Sequence, residues 1–210
     1  MLVFGAQQPM VGSMDLLWLC RRFLSRAPSA NGQTARAKAD QGDADAQFGL
    51  GLKCVTGEGA PPDFAQAAHW LLKAAEQNHR QAQFHLGMML TKGQGMPRDD
   101  AAGLVWIRKA AEGGDSGAQH MLGMKYHRSS IGPLLSDASE DRIEAFKWFH
   151  LSAVQGYKGS DAACERVTLG MSSEEVAAGN QRAATFVARN GGSERVGLVN
   201  PRAALTTECR

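Results

Sequence analysis

Six histidines and four cysteines are the side chains of this 210-residue chain best suited to chemistry. A helical metal site needs two histidines one turn apart with a carboxylate beside them. None of His69, His79, His85, His120, His127 and His150 has another four residues away. His120 and His127 are seven apart, which sets them about 10 Å apart along one face, too far to share an ion with bonds of about 2 Å. No metal and no other cofactor is expected. Cys20, Cys54, Cys164 and Cys209 lie 34, 110 and 45 residues apart, without a Cys-x-x-Cys pair or the density of a disulfide scaffold, and read as free thiols.

For nucleophilic or phosphate chemistry the sequence offers little. It contains no His-Glu-x-x-His, Gly-x-Ser-x-Gly, Ser-x-x-Lys or Walker motif. Gly57-x-Gly59 and Gly93-x-Gly95 lack the third glycine and the preceding strand of a dinucleotide loop, so they read as helix stops. The one combination a hydrolase could use is His127 with Ser129, Ser130 or Asp137, at an unremarkable spacing. The expectation is a chain that is not an enzyme, with a β-lactamase-like hydrolase near the third repeat as the alternative.

The elements that hold these residues follow from a repeat. Ala46-Gln47-Phe48-x-Leu50-Gly51 returns 36 residues later as Ala82-Gln83-Phe84-x-Leu86-Gly87, then as Ala118-Gln119-x-x-Leu122-Gly123. Trp70-x-x-Lys73-Ala74-Ala75-Glu76 returns as Trp106-x-x-Lys109-Ala110-Ala111-Glu112. Residues 44–79 and 80–115 agree at 15 of 36 positions, where average residue usage gives roughly 2 or 3. Trp148 follows Trp106 by 42 residues, and the extra length falls between Tyr126 and Asp141.

Each unit reads as two helices, because its apolar residues recur every three or four positions. Gly57 and Gly59 suit the left-handed stop, Pro61 and Pro62 forbid continuation, and Asp63 can cap the second helix. Asn78, Gly114 and Gly156 end that second helix in successive units. Gly42 stands 36 before Asn78, so residues 34–41 read as the closing helix of a degenerate earlier unit. Glycine after the core leucine (Gly51, Gly87, Gly123) lets two helices approach closely, and the tryptophans fill the space between units. Cys54 aligns with Leu90, an apolar core position where a thiol is inert.

This pattern resembles the Sel1-like repeat family, within the tetratricopeptide-like superfamily, over about residues 44–157. The resemblance implies an all-α, right-handed α/α solenoid of helical hairpins, with extra capping helices at both ends. Some members carry a cysteine pair in every repeat and are linked to β-lactam-like compounds; this chain lacks the pairs, so no activity is carried over. In tetratricopeptide-like arrays the equivalent face of the first helix lines a concave groove for partner segments.

At 100° per residue, that face carries Asp45, Phe48 and Leu52 in the first unit, Gln81, Phe84 and Met88 in the second, and His120, Met124 and His127 in the third. These nine are the candidate groove, apolar and methionine-rich. The same residues could instead pack against neighbouring first helices, and both readings stand. The expected function is a non-enzymatic scaffold or adaptor binding a protein or peptide.

The organisation expected is a flexible N-terminus over 1–33 with a short amphipathic helix at 15–26, and the array over 34–157 (units 44–79, 80–115 and 116–157). A partial repeat and capping helix follow over 158–189, then a flexible tail over 190–210. Net charge is +2, with 43% hydrophobic and 21% charged residues, a globular balance that advertises no nucleic-acid partner. The longest early apolar run, Leu16 to Cys20, is far short of the roughly 20 residues of a membrane span. No stable membrane insertion, a cytoplasmic location with export left open, and a monomer with oligomers left open are the remaining expectations.

Overall fold

The computed structural model describes residues 30–131 and 138–190. Among them are nine helices and no strand: α1 Ala30–Asp40, α2 Ala44–Thr56, α3 Phe64–Glu76, α4 Arg80–Lys92, α5 Asp100–Glu112, α6 Ser116–Ser130, α7 Ala138–Val154, α8 Ser160–Thr168 and α9 Ser173–Arg189. Successive helices pair as antiparallel hairpins in a right-handed α/α solenoid. The helix expected at 15–26, the segments 1–13 and 191–210, and Asp137 lie outside the described residues.

Helix starts are set by side chains that accept amide hydrogens otherwise left without a partner. Asp43, Asp63, Asp99 and Asp115 accept from the amides of Ala46, Gln66, Ala102 and Ala118 at 2.8–2.9 Å. His79 does the same through Nδ1, 3.1 Å from the Ala82 amide. Ser172 forms a complete capping box with Glu175. Gly57 and Gly93 end α2 and α4 at φ 71° and 67°, as a left-handed stop requires. Asp141, which stands seven residues before Trp148 as Asp63 does before Trp70, falls inside the first turn, because α7 begins earlier, at Ala138.

The repeated glycines mark where helices touch backbone to side chain. A Cβ on Gly51 would stand 2.7 Å from Leu71, one on Gly87 2.7 Å from Ile107 and 2.8 Å from the Gly103 carbonyl, and one on Gly123 2.7 Å from the Phe149 ring. Beneath them lie Leu71, Leu86, Leu122, Phe146 and Phe149, all essentially inaccessible to water. Leu50 is only half-buried and Cys54 likewise. Trp70 and Trp148 are buried and Trp106 half-buried. Lys73 stacks over Trp70 at 4.9 Å and Lys109 over Trp106 at 4.4 Å, which gives the Trp-x-x-Lys spacing a purpose. In the third unit Lys147, directly before Trp148, takes the same place at 4.3 Å.

A second bond set joins units. Gln47, Gln83 and Gln119 are buried, and each donates its amide to the carbonyl eight residues earlier: Ala39, Ala75 and Ala111, at 3.0–3.2 Å. Each thereby ties the end of one unit to the first helix of the next. Gln77 and Gln155 donate in turn to the side-chain oxygens of Gln47 and Gln119, both at 2.8 Å. At the matching place in the second unit stands Gly113.

The last two helices, α8 and α9, both pack on α7 and close the stack. Helix α9 runs along α7 in the same direction: Glu175 meets Ser139 and Arg142, Arg182 meets Glu140 and Glu144, and Phe186 meets Trp148. Gly179 allows the ring of Phe146 to press against the α9 backbone. Burial works to raise the Glu175 pKa, but hydrogen bonds from Ser139, the Ser172 amide and Arg142, with the Arg142 charge, bring it down to about 2.

Candidate functional site

Phe48, Phe84 and His120 occupy one repeat position on α2, α4 and α6; the first two lean on the start of the next unit, and His120 packs within its own unit while its Nδ1 reaches Ser160 at the start of α8. Phe48 stacks on the His79 ring at 4.5 Å, with His85 at 5.7 Å. Phe84 presses on Gly117, where a Cβ would come within 3.0 Å of its Cε1. His120 lies 5.2 Å from Tyr157 and 5.3 Å from Phe149, ring centre to ring centre. All three are half-buried. Contact between neighbouring units therefore accounts for part of this face, and the rest remains accessible.

The flanking residues divide. Leu52 and Met88 are half-buried, Met88 against the cluster around Ile107, Leu122 and Trp148. Met124 is 39% exposed, and Gln81 is exposed. Asp45 has a side chain 94% exposed, yet its carboxylate sits 3.1 Å from His79 Nε2. Because His79 Nδ1 accepts the Ala82 amide, Nε2 carries the ring proton and donates it to Asp45. Asp45 and His79 thus fasten one unit to the next.

His127 is half-buried, with Nδ1 buried and without a hydrogen-bond partner. Ser130 is buried and donates its hydroxyl to the His127 carbonyl at 2.8 Å, not to the ring. Ser129 is exposed. This geometry does not assemble His127 with Ser130 as base and nucleophile, since that pairing needs the hydroxyl on the imidazole. Among the described residues no group of three or more His, Cys, Asp or Glu side chains is arranged to hold a metal ion.

Burial pushes the His85 pKa down, against the pull of Asp115. Burial, and after it the charge of Arg166, lowers that of His120. Burial raises the Cys54 thiol, with Asp63 adding to it, and Cys54 donates to Gln66 at 3.4 Å. Cys164 is driven up to about 12, chiefly by burial. Neither thiol is poised as a nucleophile. A cavity of about 550 Å³ opens between the α5–α6 turn and the ends of α7 and α9, bounded by Arg80, Leu151, Val154 and Phe186. None of the nine groove residues borders it.

Sequence reasoning passed over two features. One is the glutamine set, whose 36-residue spacing was visible but whose role depends on a carbonyl in the preceding unit. The other is a serine chain behind His120, joining Ser160, Ser152 and the Ser116 carbonyl. No local spacing announces that chain, because its members come from three helices.

The Sel1 repeat model matches residues 44–79, 80–115 and 116–157. The chain belongs to the Sel1 repeat family. Two solved structures are similar to this Sel1 repeat chain. One is c5321, a protective antigen of uropathogenic Escherichia coli strains with an SLR fold, at 31% identity and TM-score 0.55, covering 72% of this chain and 32% of the antigen. The other is a Sel1 repeat protein from Oxalobacter formigenes, at 30% identity and TM-score 0.54, covering 64% of this chain and 96% of that one. The chain thus spans about a third of the length of the antigen. No curated protein matches it. Sel1 repeats are typically protein–protein interaction modules, and no helix among the described residues is long and apolar enough to cross a membrane.

Proposed function

We propose that this Sel1 repeat chain is a non-enzymatic scaffold that holds a segment of a protein partner along the first-helix face of the array. The observation that carries the reading is the row Phe48, Phe84 and His120 with Met88 and Met124 beside it. The three rings are anchored by packing on one side and left partly open on the other. Anchored aromatics offer contact area at small entropic cost, and methionines adapt to varied partners. Asp45, Leu52, Gln81 and His127 border the row. The partner is a protein or peptide rather than nucleic acid, and the chain works as a monomer in the cytoplasm.

The test is a peptide-display selection against the full chain, read by affinity for the enriched peptides. Met124→Glu, at an exposed position, and Phe84→Glu, checked for retained helicity by circular dichroism, should each weaken binding at least tenfold. Unchanged affinity in both variants refutes the groove. Reproducible turnover of nitrocefin or a generic ester, lost in His127→Ala, refutes the non-enzymatic reading.

A further inference from the structure

The serine chain behind His120 fixes where that ring keeps its proton. Ser152 Oγ lies 2.7 Å from the Ser116 carbonyl oxygen, which can only accept, so the single Ser152 proton is spent there. Ser152 Oγ and Ser160 Oγ are 2.8 Å apart, and Ser152 must accept, so Ser160 donates. Ser160 then has no proton left for His120, whose Nδ1 is 2.8 Å away. The remaining arrangement has Nδ1–H donating to Ser160. Ser152 and Ser160 are fully buried, so water does not compete for these bonds.

We infer that His120 is held as the Nδ1–H tautomer and that its Nε2 is a fixed hydrogen-bond acceptor on the first-helix face, reading an N–H donor on a bound peptide backbone. This rests on the groove reading above and adds the chemistry of one contact. Nε2 has no protein partner among the described residues. Burial and the charge of Arg166 on α8 both disfavour the imidazolium, so the lone pair stays available at neutral pH. The rings packed around it are those of Phe149 and Tyr157.

Position in the repeat gives the acceptor its use. Phe48 and Phe84 stand at the same place in the first two units, so a peptide lying along the row meets two apolar rings and then one lone pair. Apolar contact alone lets a peptide slide; a single directional acceptor at one end sets register. His79 supplies an internal contrast, since its Nδ1 accepts and its Nε2 donates to Asp45.

Long-range proton–nitrogen correlation spectra of the full chain, uniformly ¹⁵N-labelled and at neutral pH, read the tautomers directly. His120 should appear as Nδ1–H and His79 as Nε2–H, and Ser160→Ala should shift His120 towards a tautomer mixture. A wild-type His120 in the Nε2–H form overturns the inference.

The donor is then tested with a peptide enriched by display on the full chain, through a scan of single backbone N-methylations. One methylation should weaken binding to the wild type about five- to tenfold, the effect of one net hydrogen bond. It should have no effect on His120→Phe, which carries the ring found at Phe48 and Phe84. If that variant does not fold, Ser160→Ala is used and should show a reduced effect. Equal methylation losses in wild type and variant overturn the donor assignment. Failure to enrich any peptide sinks the groove reading and the donor with it, while the tautomer stands or falls by the spectra.

Discussion

Substituting Gly87 by alanine sets two effects of opposite sign against each other. Alanine in a helix interior is favoured over glycine by about 1 kcal/mol, so secondary-structure preference alone predicts a more stable chain. The added Cβ would come 2.7 Å from Ile107 Cγ1, 2.8 Å from the Gly103 carbonyl oxygen and 3.1 Å from the Ile107 amide nitrogen. A side chain can turn aside, but two of these three atoms are backbone, so α4 and α5 must separate by several tenths of an ångström. Overpacking of this kind costs about 1–3 kcal/mol. The two together leave a net loss of about 0–2 kcal/mol, a fall in Tm of up to about 8 °C for a chain of this size.

Gly49 is the control. It lies inside α2 with nothing within 4 Å of an added Cβ, so Gly49→Ala should raise Tm by about 2–4 °C. Thermal unfolding followed by circular dichroism measures both. If Gly87→Ala gains stability as Gly49→Ala does, close approach is not why glycine stands after the core leucine, and the argument for that position fails.

Gln119→Leu should destabilise by about 2–3 kcal/mol in urea unfolding, because the buried Ala111 carbonyl and the Gln155 amide both lose a partner. Gln83→Leu should cost less, since Gly113 replaces the second glutamine there. Glu175 has a folded pKa of about 2 against an ordinary 4.5. Its contribution is therefore fully present above pH 4.5 and is lost as pH falls towards 2. Glu175→Gln should accordingly be less stable than the wild type at pH 6 and equal to it near pH 2 in acid titrations. Cys164, with its thiol at about 12, should resist iodoacetamide in the folded chain at pH 8, whereas half-buried Cys54 should label ahead of it; peptide mapping by mass spectrometry distinguishes them.

The hairpins were legible because their punctuation is local. Asp63, Gly57 and Asn78 act within a turn of where they stand, and a period of 36 repeats the message. Close approach at Gly51, Gly87 and Gly123 could be anticipated from glycine at a core position, though not that Gly87 would face backbone and Gly123 an aromatic ring. What escaped depends on contacts between units. Lys147 replaces Lys109 from the other side of its tryptophan, which a spacing rule reads as a loss. Phe48, Phe84 and His120 were placed on one face by helical geometry, but what each ring rests on needed coordinates. The His120 chain lay furthest from view, since Ser152 and Ser160 look like ordinary small residues until helices α6, α7 and α8 converge.

The glutamine seam places its donor in one unit and its acceptor eight residues back, across the boundary. A chain carrying one extra copy of residues 80–115 would bring a fresh Gln83 to the Ala111 carbonyl, the same join that Gln119 makes now. Every junction is thus self-supplied by the module on either side. Length becomes an adjustable property of the molecule: reach can grow by whole modules while each new junction reuses bonds already present in the old ones.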